Sequence, residues 1–366
     1  MKSNLELVAE CDNFPCPISN PSAHSSLLNG NPRYYTLLDR PNGVKLGYIH
    51  PSVVPALLSF RAKHPDEAST IFSLDDTTTH TCQFLGSTPE ARSDAVARLL
   101  RVWRENDEFA VLAGWRNELY PVYGPNHQRL FDIERAASAL FGIVTYGVHM
   151  TAYVLDPASP AGSTGSGGRG GAGLKIWVPR RARTKQTYPS MLDNTVAGGL
   201  ATGENAMECL VREAGEEASL PQDLVRRKAK AAGTVSYFHL RDRRAGGEHG
   251  LCQPECQYVY DLDLTAEHQS GDAKDGGNEN GLTDADADAA KAGVVPRPSD
   301  DEVEQFYLWD VQEVQEALRK GEFKPNCALV LVDFFVRHGL VTKETEGGGF
   351  LEMVSRMHRT FEFPTA

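Results

Sequence analysis

Glu213, Glu216 and Glu217 lie in the stretch GGLATGENAMECLVREAGEEASL, residues 198 to 220. On a helix advancing about 100° per residue, setting Glu213 at zero puts Glu216 near −60° and Glu217 near +40°, so three carboxylates share one face. Met207, Leu210, Val211, Ala214 and Ala218 fall between about 60° and 160°, an apolar stripe that would dock the helix on a sheet. Clustered acids without a counter-ion repel one another, and a hard divalent cation relieves that repulsion with oxygen ligands. Magnesium is the natural choice, with manganese as the alternative. The plainer reading of a glutamate-rich helix is a hydrated acidic face, with Glu208 and Arg212 as an ordinary i,i+4 pair.

The helix should run from about Glu204 to Ala218, with Thr202 able to cap it and Gly199 and Gly203 marking a tight approach. Ala206 and Cys209 are small and lie on the Glu213 face, leaving room above the carboxylates. Just upstream, Arg180, Arg181, Arg183 and Lys185 form a basic run suited to gripping phosphates, though some of the four would simply face solvent at a strand end. Gln186, Tyr188 and Asn194 are candidates to recognise an organic group. Trp177 or Tyr258 can stack on a ring, although packing is the commoner role of an aromatic.

The full spacing weighs against the plain acidic face. Gly198, five residues, Glu204, seven residues, then Arg212-Glu213-Ala214-x-Glu216-Glu217-x-Ser219-Leu220 resembles the Nudix box, G-x5-E-x7-R-E-U-x-E-E-x-G-U, where U is aliphatic. Ser219 departs from the glycine of that pattern but removes no ligand. The resemblance implies an α/β fold, the Nudix α/β/α sandwich around a mixed sheet. It implies that Glu213, Glu216 and Glu217 bind metal, supported by the Gly198 carbonyl and Glu204, and that Arg212 places Glu213. One of these glutamates, or a later acid, would activate the attacking water. Glu302 and Glu304 are candidates for that acid, or else a charged strand entry. Metal here neutralises diphosphate charge and lowers the pKa of bound water.

Outside the box, YGVHMTAYV, WVPRRARTKQTYPSMLDNTVAGG, QPECQYVYDLDL and EFKPNCALVLVDFF resemble the thiamine pyrophosphokinase-related branch of that superfamily. LGYIHP and WRNELYPVYG resemble its extra amino-terminal domain, so the likeness covers about residues 34 to 340 without two insertions. It implies conversion of thiamine diphosphate, or its oxidised or damaged forms, to the monophosphate. TKQTYPSMLDNTVAGG is also similar to isopentenyl diphosphate isomerases, but those need a cysteine just after the Asn-Thr pair, where Val196 and Ala197 stand here. The box by itself leaves ADP-ribose, NADH, coenzyme A and dinucleoside polyphosphates open. Intact Glu213, Glu216 and Glu217 argue against a silent binding module.

The elements that must position these residues are legible in outline. A chain of 366 residues can hold two domains, and 41% hydrophobic with 23% charged residues fits a globular protein. Residues 1–32, rich in Ser, Asn and Pro, read as a weakly ordered leader, and 33–135 as a smaller α+β domain. Within the latter, YYTLLDR and VKLGYIH form a hairpin around Pro41-Asn42-Gly43, 89–104 a helix, WRNELYPVYG a loop and FDIERAASALFGI a second helix. The amino-terminal domain is expected to shape or close over the substrate cleft. Residues 136–345 form the hydrolase domain, with flexible insertions at about 157–173 and 266–300, and 346–366 a C-terminal tail. In this domain YGVHMTAYVLD pairs with KIWVPRRA, VEQFYLWD is a strand, VQEVQEALRKGE a helix ending at Gly321, and PNCALVLVDFFVRHG a core helix.

Net charge of −12 without a basic tail argues against nucleic acid or an anionic membrane as partner and leaves a small-molecule diphosphate. Seven scattered cysteines suggest reduced thiols, and Cys252 with Cys256 lacks the second ligand pair of a zinc site. No apolar run approaches the roughly 20 residues that span a bilayer. The first residues carry no signal-peptide core, so cytoplasm is the expected location. Nothing sets an oligomeric state.

Overall fold

The structure is a computed structural model describing residues 1–39, 43–155, 173–269, 293–299 and 301–366. Most of the two expected insertions, and part of the Pro41-Asn42-Gly43 turn, lie outside the described residues.

Strands β1 (Tyr35–Asp39), β2 (Val44–Ile49), β3 (Phe72–Asp75) and β4 (Thr81–Phe84) form a sheet in the order β2-β1-β4-β3, with β1 and β2 the expected antiparallel hairpin. Helix Pro89–Glu105 covers it, burying Val96, Leu99, Leu100 and Trp103 at helical spacing. Beyond it the expected loop and helix are instead a two-stranded ribbon, β5 (Leu119–Tyr123) with β6 (Arg129–Glu134), followed by only a short helix, Ser138–Phe141. Phe131 and Ile133 alternate into the core under that long helix, and a partner strand ten residues away outweighs the helical leaning of ERAASALF.

The second sheet is mixed, as expected. Its order is β10 (Lys230–Leu240), β11 (Cys252–Asp263), β7 (Thr145–Leu155), β8 (Leu174–Arg181), β12 (Val303–Asp310), with β9 (Val196–Gly199) pairing antiparallel to β7. β7 runs parallel to β11 and antiparallel to β8. Its alternation decides the layers: Val148, Met150, Ala152 and Val154 face helix Ala206–Ala218, whose Leu210, Val211, Ala214 and Ala218 are buried against them. Each such buried Leu or Val contributes about 1.5–3 kcal/mol. On the other face pack helices Pro325–Arg337 and Val311–Lys320. The result is the expected α/β/α sandwich.

Both chain ends correct the expected leader and tail. Asn4–Cys11 is a helix with a Ser3/Glu6 capping box, and Leu7, Val8 and Cys11 are buried beside helix Pro325–Arg337. Phe14 stacks on Phe238 at 3.9 Å, while Arg359 donates to Asp12 Oδ1 at 2.9 Å. Helix Phe350–Met357 adds Met353 and Met357 to the same core. The few apolar residues of these segments suffice because chain-distant partners cover them. Among the described residues no helix is long and apolar enough to cross a membrane.

Candidate active site

Asn205, not Thr202, caps the glutamate helix: its Oδ1 accepts from the Met207 N–H at 2.9 Å, while the Thr202 hydroxyl turns to Asp132 Oδ1. Ser219 closes the helix in the left-handed region at φ 54°, so the turn of the box survives without glycine.

Arg212 is the hub. Its Nε and Nη2 donate to the two oxygens of Glu204 at 2.9 and 3.1 Å, and its Nη1 donates to Glu213 Oε1 at 2.9 Å and Glu216 Oε2 at 3.0 Å. The Glu208–Arg212 pair of a hydrated acidic face does not form, because Glu208 binds Arg226 instead. Glu213 is largely buried and burial raises its pKa, partly offset by Arg212. Glu217 is deeper still; burial, then the Glu213 and Asp193 charges, push its pKa up, while its Oε2 accepts from the Ala197 N–H at 3.0 Å. Glu216 is more than half exposed.

Two bare residues of β9 make room. A β-carbon on Gly198 would lie 2.2 Å from Glu213 Cδ, and one on Gly199 would lie 1.8 Å from the Tyr120 hydroxyl. Among the described residues no three His, Cys, Asp or Glu side chains are placed to hold a metal ion, since Arg212 draws Glu213 and Glu216 while Glu217 bonds the backbone. The donor chemistry nevertheless fits a hard cation. Part-buried Glu213 and Glu217, whose pKa values burial raises, line the same cavity as Gly198, and the buried Gln257 Oε1 has no hydrogen-bond partner among the described residues.

These groups line one cavity of about 870 Å³, with Glu204, Arg212, Glu213, Glu216 and Glu217 all on its wall. Of the basic run, Lys185 reaches it, paired with Glu302, which also lines it. Burial would raise the Glu302 pKa, but Lys185 and Arg116 hold it below its usual value. Gln186 lines the cavity as well. Arg181 touches the cavity but is buried, its Nη1 donating to Asp193 at 2.6 Å and its other nitrogens to the Thr187 and Tyr188 carbonyls. It braces the fold rather than offering a free fork to substrate.

Arg180 is not on the cavity wall, because strand alternation sends it to Tyr307 Oη at 3.1 Å and the Ser190 carbonyl. Arg183 is exposed and faces Glu304, which likewise stands away from the cavity. Asn194 is buried, its Oδ1 2.7 Å from His149 Nδ1, and is not part of the wall. Trp177 and Tyr258 pack in the core. Cys252 and Cys256 lie four residues apart on β11, about 13 Å at strand rise, too far to share one ion.

The cavity also holds residues that the spacing did not single out. β10 and β11 supply Tyr237, His239, Gln253, Glu255 and Gln257. The Glu255 carboxylate accepts from the Tyr237 hydroxyl, the Gln253 amide and Gln257 Nε2. Polar residues at alternate positions in QPECQ, inside an expected strand, were the available signal. The amino-terminal part adds Arg116, Glu118, Tyr120 and Arg135, and it therefore shapes the cleft.

A helix that docks its apolar side on a mixed sheet while lending arginine-braced glutamates to a cavity is the arrangement that the resemblance to the Nudix box implies. Comparison with known proteins agrees. The chain is 32% identical over 315 residues to Nudix hydrolase 24, chloroplastic, of Arabidopsis thaliana, covering 85% of this chain and 70% of that one. It is 33% identical over 272 residues to Nudix hydrolase 20, chloroplastic, of the same plant, covering 74% of this chain and only 58% of that one. An uncharacterized Saccharomyces cerevisiae protein, YJR142W, is 35% identical over 328 residues, covering 88% and 83%. Residues 41–145 match a domain of unknown function (DUF4743). The chain belongs to the Nudix hydrolase family and is an enzyme of that family, a hydrolase of diphosphate linkages.

Proposed function

We propose that this hydrolase attacks thiamine diphosphate, or its oxidised or damaged forms, with water at the terminal phosphorus, releasing orthophosphate and the monophosphate. The observation that carries the reading is the shared cavity: Glu213, Glu216 and Glu217 line the same space as Lys185, Gln186, Arg116 and Arg241, so a diphosphate and an attached ring system fit together there. The thiamine part rests on the sequence resemblance.

Glu213, Glu216 and Glu217, with the Gly198 carbonyl and Glu204, would hold the divalent cation, magnesium in the first instance and manganese as the alternative. Bound there, the cation would neutralise diphosphate charge and acidify an attached water. Arg212 fixes the Glu213 carboxylate. Glu213 and Glu217, whose pKa values burial raises, are suited to take a proton from the attacking water. Lys185 and its partner Glu302 offer one cation to the terminal phosphate. Glu304, exposed beyond the cavity, drops out as the extra acid.

The functional unit is proposed as residues 136–345 completed by 33–135. A cytoplasmic place of action is supported by seven free cysteines, whereas both Arabidopsis relatives are chloroplastic by name. Monophosphate and orthophosphate formation should be measured with thiamine diphosphate, its oxidised forms, ADP-ribose, NADH, coenzyme A and a dinucleoside polyphosphate, with magnesium and after chelation. Turnover of a thiamine diphosphate form above the others is expected. No turnover of any such form would sink this substrate.

A further inference from the structure

We infer that the amino-terminal part of the chain supplies the second half of the diphosphate site, with Arg135 and Arg116 as the groups that bind phosphate oxygens. The stretch 41–145 carries no assigned function, yet Arg116, Glu118, Tyr120 and Arg135 all line the cavity that holds the box glutamates.

The placement of Arg135 is specific. Its Nη1 donates to Glu118 Oε2 at 2.8 Å, and its guanidinium lies 5.7 Å from the centre of the Tyr120 ring. Among the described residues that is its one side-chain hydrogen bond, and the side chain remains 35% exposed. Arg135 Cζ stands 3.4 Å from where a Gly199 β-carbon would be, and Glu213 Cδ stands 2.2 Å from where the Gly198 β-carbon would be. Cation and carboxylate thus press on consecutive residues of one short strand, whose Cα atoms are about 3.8 Å apart. Consecutive strand residues point to opposite faces, so Glu213 and Arg135 flank β9 from its two sides, and with no side chain on either glycine only its backbone lies between them.

Arg116 enters from the same wall, 47% exposed and 3.6 Å from Glu302 Oε1. The two arginines therefore face a cavity that already contains clustered acids, which is the charge pattern a metal-bound diphosphate needs: carboxylates for the cation, guanidinium forks for the oxygens it leaves uncovered.

The docking that delivers them is fixed. The Glu248 carboxylate, between β10 and β11, accepts from the Ala110 and Val111 N–H groups at 2.6 and 3.0 Å. The Leu119 carbonyl accepts from the Thr202 N–H at 2.8 Å, and a Gly199 side chain would collide with Tyr120. The amino-terminal wall is a built part of the site, and the hydrolase centre is incomplete without it.

The inference rests on the diphosphatase reading but not on thiamine, so the probe is methylenediphosphonate with magnesium, titrated calorimetrically into the full-length protein. Arg135→Gln should weaken binding by about tenfold or more and Arg135→Lys by less, since lysine keeps the charge without the fork. Arg116→Gln should weaken it several-fold. Glu118→Gln, which removes the negative charge that competes with phosphate for Arg135, should bind at least as well as wild type, and Arg180→Gln, altered outside the cavity, should bind like wild type.

Unchanged binding in both Arg135→Gln and Arg116→Gln overturns the inference while leaving the hydrolase reading intact. An equal loss in Arg180→Gln overturns it as well, by showing an effect of overall charge. If Arg135→Gln fails to fold, Arg116→Gln and Glu118→Gln still decide. Absence of thiamine diphosphate turnover in the wild type refutes the proposed substrate without touching this test, because the probe has no organic part.

Discussion

The carboxyl carbon of Glu213 stands 2.2 Å from the point that a β-carbon on Gly198 would occupy. That volume belongs to the carboxylate, so Gly198→Ala must push Glu213 aside. Because a displacement of about 1 Å near reacting atoms costs on the order of 10²-fold in rate, a loss of that size in kcat is expected with little change in melting temperature. Steady-state kinetics beside thermal melting checks it. Wild-type kcat in Gly198→Ala would mean that the Glu213 position is not used.

Glu213→Gln keeps the shape and a bond to Arg212 while removing the charge. If Glu213 holds metal or takes the proton, kcat falls by about two to four powers of ten while the fold persists. Chelation of divalent metal should abolish turnover of the wild type, with recovery on adding magnesium. Full activity of either preparation counts against the assigned role.

Asp193 and Arg181 form a buried pair, 2.6 Å apart. Burial would raise the Asp193 pKa, but Arg181 and Lys324 outweigh it and hold the carboxylate well below the usual range. Asp193→Ala leaves a buried cation unpaired and should cost about 3–5 kcal/mol in chemical denaturation. A loss under 1 kcal/mol would show that the guanidinium is free to serve substrate.

Ser219 holds φ 54° at the end of the glutamate helix. A non-glycine residue pays about 1–2 kcal/mol there, part of which glycine returns through its more flexible unfolded state. Ser219→Gly is therefore expected to stabilise by up to about 1 kcal/mol, read as a higher melting temperature at unchanged kcat. A lower melting temperature would contradict it.

His149 and His239 are buried, and burial lowers the pKa of both. Their folded pKa values lie below the unfolded value of about 6.5, so on acidification the unfolded chain takes up protons first. Their contribution is whole above pH about 6.5 and is lost as pH falls toward the folded values, at no more than about 1.4 kcal/mol per pH unit for each proton. Denaturation at pH 7.5 and 5.5 should show this slope, and His149→Gln should flatten it. An identical slope in that variant would remove His149 as a cause.

Much of the framework was legible because it is local. The apolar stripe through Leu210, Val211, Ala214 and Ala218 and the fixed offsets from Gly198 to Ser219 depend only on helical rise and twist. So do the strands around Val148 and Ile176 and the helix stopped by Gly321. The ribbon of β5 and β6 was misread because Phe131 and Ile133 take their conformation from a neighbouring strand and an overlying helix, not from their own propensity. The leader was misread for the same reason: Leu7, Val8 and Phe14 gain their burial from Phe238 and the helix Pro325–Arg337.

At the site, the sequence alone determined which carboxylates share one face of the helix, because side-chain direction on one helix follows from residue spacing. Only the tertiary structure decided which cations join them. Arg180, Arg181 and Lys185 look alike in a row, yet one turns to Tyr307, one touches the cavity but is held by Asp193, and the third lines the cavity with its charge beside Glu302. Arg116 and Arg135, far away along the chain, are brought to the same wall. Electrostatic partners are set by distance through space, and for residues on different elements that distance exists only once the sheets and helices have packed.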